Sequence, residues 1–350
     1  MKDKNSILEL VRPAIADLIP YRSAREEFSQ TTREMVLLDA NESPYSSEVN
    51  RYPDPQQREL KALISKLKGV NLNSILLGNG SDEVLDLIFR VFCEPGIDNV
   101  ITLPPTYGMY NVLAGINNIE NIEVPLTSKF EPDVDNILKS QNSQSKVLFL
   151  CSPNNPTGNR FQDKNIIRLL KQFRGIVVID EAYIDFSEHD GFINQLSKFS
   201  NLIIVQTFSK AFGMAGIRLG MCFASEEIIS TLNRVKPPYN VNELTQQYAC
   251  KKLKGFEDIN DRIDATRSER QQLCKALLNV SYVQKIYASD ANFILMRVDD
   301  AEKRYLQLLD RGIVVRNRSQ EVHCNNCLRI TIGTAQENDK LLNELKAIDI

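Results

Sequence analysis

The chain has 350 residues and is too long for a single small hydrophobic core. This length favours a large domain with a smaller one beside it. Its formal net charge is only −3, from 42 basic and 45 acidic side chains, so neither nucleic acid nor a membrane surface is an expected partner. Seven irregularly spaced cysteines, an N-terminus without a signal-peptide pattern and the lack of an apolar run of about eighteen residues predict a cytoplasmic protein without disulfides.

Short apolar runs alternate with helical patterns through the first two thirds of the chain. Buried strands are predicted for five runs rich in β-branched side chains, at residues 99–103, 146–151, 176–180, 202–206 and 219–224. Amphipathic helices are predicted at 81–92 and 162–173. This alternation is typical of an α/β fold with a mostly parallel sheet flanked by helices.

The pattern changes after about Ser225. Helical stretches are predicted at 225–254 and 259–278, followed by strands near 292–298 and 328–332 and by a C-terminal helix. We interpret this part as a smaller α+β domain. The predicted division is an N-terminal segment that packs with the small domain, a large domain and the small domain itself, at residues 1–44, 45–255 and 256–350.

Two segments place polar side chains directly after predicted strands. Residues 151–158, Cys-Ser-Pro-Asn-Asn-Pro-Thr-Gly, form a turn in which Asn155 precedes a proline and could aim its amide at a ligand. Asp180 ends the strand at 176–180, where a buried carboxylate needs a cationic partner. A turn without a ligand would also explain the first segment, and an arginine or a metal ion would also satisfy Asp180.

Two further segments are rich in glycine. Lys210 lies in an apolar loop with glycines at 213, 216 and 220, and partial burial near Arg218 would lower its pKa and free its amine. Gly80 and Ser81 open a predicted helix, whose free amide groups and dipole attract an anion such as phosphate. Taken singly, Lys210 could be a surface lysine and Ser81 an ordinary helix start. Ligands of open α/β sheets bind at the carboxyl ends of strands. We therefore expect all four segments to lie close together at that edge of the sheet.

In this order, the four segments resemble fold-type I pyridoxal 5′-phosphate enzymes, the aspartate-aminotransferase family. The motifs are Asn-Pro-Thr-Gly, Asp-Glu-Ala-Tyr and Ser-Lys-x-x-Gly-x-x-Gly-x-Arg-x-Gly, and the resemblance runs from about Tyr21 to Gly333. It implies an aminotransferase that uses pyridoxal 5′-phosphate as its cofactor. It also implies that Lys210 binds the cofactor covalently and carries a proton during catalysis.

The resemblance implies a role for each matching position. Asp180 would pair with the pyridine nitrogen, Asn155 and Tyr183 would donate hydrogen bonds to the phenolic oxygen, and Tyr107 would stack on the ring. Tyr52, in Arg-Tyr-Pro-Asp at 51–54, would reach the phosphate of a neighbouring subunit, which implies a homodimer with shared active sites. The phosphate end of the cofactor would lie at the helix start and the lysine loop, beside Gly80, Ser81, Asp82, Ser209 and Arg218.

Three segments, at 20–27, 38–45 and 328–334, are similar to the histidinol-phosphate aminotransferase subfamily, although Ser43 stands where that subfamily often has Asn. The resemblance implies a reaction between histidinol phosphate and 2-oxoglutarate that gives imidazole-acetol phosphate and glutamate, in histidine biosynthesis. Four residues would bind the substrates, with Tyr21 at the phosphate, Arg329 at a carboxylate or phosphate, Arg316 as a second anion-binding group, and Asn41.

Other interpretations stay open at this point. Tyr21 could pack in an interface, and Arg316 could form a surface ion pair. An aromatic aminotransferase or a threonine-phosphate decarboxylase would share these motifs, whereas the first forty-five residues are not basic enough for the DNA-binding module of a cofactor-sensing regulator. Cys324 and Cys327 beside His323 carry only part of a zinc-site pattern, so we expect a loop there and no metal.

Overall fold

The computed structural model describes residues 7–21, 23, 25, 35–255 and 259–348. Within these residues a large sheet is formed by seven strands, namely β1 Ile75–Asn79, β2 Asn99–Thr102, β3 Glu120–Glu123, β4 Ser145–Cys151, β5 Ile176–Asp180, β6 Leu202–Thr207 and β7 Leu219–Ala224. Their order across the sheet is β1-β7-β6-β5-β4-β2-β3. The pairs from β6 to β3 are parallel, and β7 runs antiparallel to both of its neighbours. The prediction of a mostly parallel sheet is confirmed.

Helices cover both faces of this sheet, and none within the described residues is long and apolar enough to cross a membrane. In chain order they are α1 Ile7–Leu10, α2 Pro13–Ala16, α3 Arg58–Lys68, α4 Gly80–Phe92, α5 Met109–Ile116, α6 Val134–Ser140, α7 Asp163–Gln172, α8 Glu226–Val235 and α9 Glu243–Lys254. Because successive side chains of a strand point to opposite faces, Leu148 and Leu150 of β4 join one core while Val147 and Phe149 join the other. Because both faces of the sheet are covered, the side chains on both sides of these strands are apolar, which gives continuous apolar runs in the sequence.

The carboxyl ends of β1, β4, β5 and β6 lie at the same edge of the sheet. In the register of the central pairs, Cys151 stands opposite Asp180, and Asp180 stands opposite Val205. The segments that carry Asn155, Asp180 and Lys210 therefore begin next to one another at this edge of the sheet. The segment with Gly80 leaves the same edge after β1, a strand that the sequence pattern did not predict.

A second, antiparallel sheet follows, with strands β8 Val283–Ile286, β9 Phe293–Val298, β10 Arg316–Asn317 and β11 Cys327–Thr331 in the order β10-β11-β9-β8. Its helices are α10 Ile259–Leu277, α11 Ala301–Asp310 and α12 Ala335–Ala347. Leu328 and Ile330 of β11 are buried in the core of this unit, so Arg329 between them faces the other way. Where the boundary between the two units falls stays a prediction.

Two expectations about helices were wrong. The helical stretch predicted at 225–254 is two helices, because Pro237 and Pro238 interrupt it and cannot donate backbone hydrogen bonds. The described N-terminal helices pack on the large unit rather than on the small one. Ile7 and Val11 join the core that lies under α4 and α8, and the amide of Arg12 donates to the Val91 carbonyl at 2.9 Å.

Candidate active site

A cavity lies at the carboxyl edge of the large sheet. It is lined by all four of the segments singled out in the sequence and by the turn that follows β2, with the residues Ser81, Asp82, Tyr107, Cys151, Asn155, Asp180, Ala182, Tyr183, Thr207, Ser209, Lys210 and Arg218. Gly80 lies directly beside Ser81. Most residues that the resemblance assigns to the cofactor therefore meet in one place, although they come from five separate parts of the chain.

Lys210 projects from the loop that joins β6 to β7. Its amine is 5.6 Å from the centroid of the Tyr183 ring, and its side chain is open to the cavity on one side. Burial by the surrounding protein lowers the pKa of the amine, and the positive charge of Arg329 lowers it further. The amine therefore loses its proton at a lower pH than an ordinary lysine, as a nucleophile or a base requires.

Asp180 ends β5 with its side chain buried, at 3% relative exposure. One carboxylate oxygen accepts a hydrogen bond from the Tyr110 hydroxyl at 2.8 Å, and the other accepts from the amide of Ala182 at 3.1 Å. Burial raises the pKa of this carboxyl to about 6, and the two hydrogen bonds oppose that rise. A cation bound in the cavity would stabilise the charged form, since it would supply the partner that the buried carboxylate lacks.

Tyr110 is a site residue that the sequence pattern did not identify. It lies in α5, fully buried, with its ring stacked on Phe149 at a centroid distance of 4.9 Å. Its ring also meets Tyr107 edge to face at 5.6 Å. Only the fold brings the Asp180 carboxylate to the Tyr110 hydroxyl, because the two residues are seventy positions apart in the sequence.

The start of α4 forms a cradle for an anion. The Gly80 amide donates to the Arg218 carbonyl at 2.8 Å, but the Asn79 side chain does not cap this helix, so the amides that follow Gly80 in the first turn are not taken by it. Gly80 has a positive φ of 76°, and a Cβ atom there would lie 2.7 Å from the guanidinium of Arg218. Arg218 thus covers the helix start from close range, and only glycine allows that approach.

Asp82 links Tyr107, in the wall of the cavity, to Arg218 at the start of α4. Its carboxylate accepts a hydrogen bond from the Tyr107 hydroxyl at 3.0 Å and lies 3.5 Å from the Arg218 guanidinium. These contacts fix the Tyr107 ring, which forms a wall of the cavity. Ser209 also lines the cavity, and its amide donates to the Thr207 hydroxyl at 3.1 Å.

Arg329 brings the second sheet to this cavity. Its guanidinium donates to the side-chain oxygen of Asn155 and lies 5.3 Å from the centroid of the Phe293 ring. The ring of Phe293 in turn meets Tyr183 edge to face at 5.0 Å. Arg316 stands opposite Arg329 in the β10–β11 register, but its side chain is exposed to solvent.

Besides the exposed Arg316, three more predicted site residues lie outside this cavity. Tyr52 is 51% exposed and stacks on Tyr239 at a centroid distance of 4.4 Å. Asn41 lines a separate surface pocket together with Tyr52. Tyr21 is 75% exposed and lies at a third pocket, beside α3 and α8. A single copy of the chain does not bring these residues to Lys210, and their roles stay predictions.

The cysteine pair lies at the start of the strand that carries Arg329. Cys327 begins β11, and both Cys324 and Cys327 are buried free thiols. Among the residues that the structure describes, no group of three or more histidine, cysteine or acidic side chains is placed to bind a metal ion.

The geometry can be compared with known proteins. Residues 26–345 match the model of the family "Aminotransferase class I and II". The chain belongs to this family. It is 58% identical, over 349 residues, to histidinol-phosphate aminotransferase from Christiangramia forsetii, covering 100% of this chain and 99% of the relative. It is 55% identical to the enzyme of the same name from Flavobacterium johnsoniae, covering 97% and 98%.

Solved structures of this family have the same fold. The crystal structure of histidinol-phosphate aminotransferase from Clostridium acetobutylicum superposes with a TM-score of 0.79 at 25% identity, over 86% of this chain and 91% of that one. The Sinorhizobium meliloti enzyme, solved in complex with pyridoxal 5′-phosphate, superposes with a TM-score of 0.78 at 21% identity, over 86% and 83%. The fold is therefore that of the fold-type I aminotransferases. Because the chain belongs to the family of class I and II aminotransferases, its cofactor is pyridoxal 5′-phosphate.

The cavity fits this cofactor at its phosphate, its ring nitrogen and its ring face. The uncapped start of α4 and Arg218 match a phosphate, and the buried carboxylate of Asp180 matches a protonated ring nitrogen. Tyr107 offers an aromatic face, and the amine of Lys210 opens onto the same space. A dry, apolar or uniformly acidic cavity would not combine these features.

Removing the Tyr110 hydroxyl should change the charge of Asp180. In Tyr110→Phe the Asp180 carboxylate loses a charge-assisted hydrogen bond, so its pKa should rise further above 6 and its hold on a cationic ring should weaken. We expect kcat/KM to fall about tenfold and the dissociation constant of the cofactor to rise by about the same factor, from the net value of a hydrogen bond to a charged group. Activity assays and cofactor titration measure the two effects.

A matched control comes from another buried tyrosine. The Tyr282 hydroxyl donates to the Leu345 carbonyl at 2.9 Å, in the core of the small unit. Tyr282→Phe should leave the cofactor affinity unchanged. If the two variants behaved alike, the link between Tyr110 and the charge of Asp180 would have to be abandoned.

Proposed function

We propose that this enzyme transfers an amino group between L-histidinol phosphate and 2-oxoglutarate, giving imidazole-acetol phosphate and glutamate, a step in histidine biosynthesis. The observation that carries the proposal is the identity of 55–58% to enzymes of that name over nearly the whole of both chains. L-threonine-O-3-phosphate decarboxylase from Porphyromonas gingivalis is 23% identical, with a TM-score of 0.74, and shares only the fold.

Lys210 is the proposed covalent attachment point and the proton carrier. When bound, the cofactor supplies an electron sink that stabilises negative charge on the substrate carbon bearing the amine. The Nζ atom of Lys210, with its lowered pKa, takes the proton from that carbon and later returns a proton. The Tyr183 ring limits the space in which this amine can move, because it lies 5.6 Å away.

The other cavity residues hold the ring in place. Asp180 pairs with the ring nitrogen, and Tyr107 stacks on the ring face. The side-chain oxygen of Asn155 is taken by Arg329, which leaves the Asn155 amide nitrogen to donate to the phenolic oxygen, with Tyr183 as the second donor. The phosphate is held at the α4 start and the lysine loop, by Gly80, Ser81, Ser209 and Arg218, with Asp82 fixing the arginine.

The substrates are bound by cationic side chains of the second sheet. Arg329 presents its planar guanidinium to the cavity and takes the carboxylate of glutamate or the phosphate of the other substrate in turn. Arg316 adds positive charge beside it from the paired strand. Tyr21 and Asn41 are proposed to complete the substrate site in the assembled enzyme.

A homodimer is the proposed assembly. Several large apolar side chains of the N-terminal part are exposed in a single copy, among them Ile19, Val36, Leu38 and Tyr45 at 82–88%. Burying such surface against a second copy is favourable. Asn41 and Tyr52 lie in the same part of the chain, so a partner subunit could receive them. The free state of all seven cysteines fits a reducing compartment, and we propose the cytoplasm.

The reaction is tested with purified, cofactor-loaded protein. Histidinol phosphate with 2-oxoglutarate should give glutamate at a kcat/KM at least about tenfold above phenylalanine or tyrosine as amino donor. Threonine phosphate should release no carbon dioxide, and Lys210→Ala should abolish turnover of every donor. A preference for an aromatic amino acid, or release of carbon dioxide, would refute the proposed substrate.

Shared active sites are tested with mixed dimers. A Lys210→Ala subunit and a Tyr52→Phe subunit are co-expressed with different tags, and the heterodimer is purified. If Tyr52 serves the neighbouring subunit, the heterodimer holds one site with both native residues, and activity should return to about half that of the native dimer. A heterodimer no more active than the Tyr52→Phe parent would place Tyr52 outside the shared site.

A further inference from the structure

The turn that leads into β11 brings two cysteines together. Cys324 and Cys327 are its first and fourth residues, and the Cys327 amide donates to the Cys324 carbonyl at 3.0 Å. Asn326, the third residue, has a positive φ of 54°, a conformation that asparagine accepts in turns. The Cα atoms at the two ends of a β-turn lie within about 7 Å of each other, and a disulfide bridges Cα atoms that are about 4.4–6.8 Å apart. The backbone of this turn therefore suits a disulfide.

Both thiols are packed where the second sheet meets the large unit. They belong to the same hydrophobic core as side chains of β4 and β5. Tyr287 packs against this core and meets Phe130 of the large unit at a ring-centroid distance of 5.1 Å. Because side chains alternate along a strand, Cys327 lies on the same face of β11 as Arg329, two residues further on. A change at the cysteine pair therefore acts on the strand that presents Arg329 to the cavity.

Cys327 differs from the other cysteines in its acidity. A hydrogen bond from the Cys324 thiol lowers the pKa of Cys327 to about 7, burial opposes that effect, and a hydrogen bond from Arg297, its partner on β9, supports it. The pKa of each of the other six cysteines is raised, at Cys324 mainly by the hydrogen bond to Cys327 and elsewhere mainly by burial. Since the thiolate is the form that attacks an oxidant, Cys327 carries the reactive sulfur.

The turn is open to small oxidants although both cysteine side chains are buried. His323 and Asn325, on either side of Cys324, are exposed. The turn is held by short-range backbone hydrogen bonds, such as that from the Cys324 amide to the Glu321 carbonyl at 3.0 Å. Surface turns of this kind open locally at a small fraction of the free energy of global unfolding.

We propose that Cys324 and Cys327 are a redox modification site, at which hydrogen peroxide forms a reversible disulfide that weakens substrate binding at Arg329. The Cys327 thiolate attacks one peroxide oxygen, the O–O bond breaks, and the departing hydroxide takes up a proton to become water. The Cys324 sulfur then attacks the sulfur of the sulfenic acid, the S–S bond forms, and the S–O bond breaks as the hydroxyl leaves with the Cys324 proton as water. Two thiols and one peroxide thus give a disulfide and two waters, and a dithiol reverses the reaction.

The disulfide changes the contacts at the start of β11. A disulfide sulfur is uncharged, so Cys327 loses its hydrogen bond from Arg297, and the new covalent bond draws the first residue of the strand toward Cys324. The Arg329 guanidinium then moves relative to Asn155, to which it donates in the reduced enzyme. The modification site itself is independent of the proposed reaction, whereas its effect on substrate binding rests on the role proposed for Arg329.

The first test locates the modification in the native, cofactor-loaded enzyme. The enzyme is treated with hydrogen peroxide and unfolded, its free thiols are alkylated, and its tryptic peptides are mapped by mass spectrometry. Trypsin cleaves after Arg318 and Arg329, so one peptide, residues 319–329, contains both cysteines. We expect this peptide to lose two hydrogen atoms and to escape alkylation, and dithiothreitol should restore both thiols. No activity is needed for this measurement, so its outcome does not depend on the substrate.

The second test measures the effect on binding. Oxidation should raise KM for glutamate roughly 3- to 10-fold with little change in kcat, and dithiothreitol should reverse the rise. Cys327→Ser and Cys327→Ala remove the reactive sulfur, so both variants should keep their KM after the same treatment. The control is Cys274→Ser, since Cys274 is the one cysteine of the seven that is partly exposed. It should respond to peroxide as the native enzyme does.

Three results would overturn the inference. Peroxide that leaves peptide 319–329 unmodified, or that modifies another cysteine first, would remove the modification site. A sulfinic acid at Cys327 in place of a disulfide would show that Cys324 does not react with it. A disulfide that forms without changing KM would remove the effect on Arg329. None of these results bears on the proposed reaction, which is tested with the untreated enzyme and its own substrates.

Discussion

The buried carboxylate of Asp180 is the constraint on which the rest of the site depends. A charged side chain that is only 3% exposed to solvent is unfavourable unless hydrogen bonds and a cation compensate its charge. The protein supplies two hydrogen-bond donors, the Tyr110 hydroxyl and the Ala182 amide. The pKa of the Asp180 carboxyl is nevertheless raised to about 6, so these donors do not compensate its burial fully. The charge of Lys210 opposes the rise as well, and a bound cationic ring would supply further compensation, which would couple cofactor binding to the chemistry that needs its positive charge.

The topology explains how such distant residues converge on this carboxylate. Parallel strands end at one edge, so the segments after β1, β4, β5 and β6 surround the same space. The antiparallel β7 returns the lysine loop to the sheet beside β1, where Gly220 passes so close to Gly80 that a Cβ atom would lie 2.4 Å from its carbonyl carbon. The loop that carries Lys210 is thereby held against the helix start that receives the phosphate. Arg329 then closes the cavity from the second sheet.

The sequence predicted the features that depend on local patterns. β4, β5 and β7 fall within a residue of their predicted bounds, because their apolar runs are bounded by prolines, acids and glycines. The short strand β3, Glu-Asn-Ile-Glu, escaped notice because it is polar and lies at the edge of the sheet. The break before α9 was missed although Pro237 and Pro238 mark it, since the flanking helical patterns are strong.

The parts of the site that escaped sequence analysis depend on long-range packing. Tyr110 meets Asp180 across seventy residues of sequence, and nothing in its local pattern separates it from an ordinary core tyrosine. Tyr21, Asn41 and Tyr52 lie at surface pockets away from Lys210 in a single copy of the chain, and their proposed roles rest on the proposed homodimer.

The most direct test of this account is the rate of the first half-reaction in Asp180→Asn, measured in a single turnover of the cofactor-loaded enzyme with glutamate. Asparagine preserves the size of the side chain but has one acceptor oxygen in place of two and no charge, so it cannot stabilise a protonated ring nitrogen. The account predicts a folded protein that binds the cofactor and reacts at least about 100-fold more slowly, as for other losses of electrostatic stabilisation in an active site. A rate close to that of the native enzyme, in a folded and fully loaded variant, would contradict it.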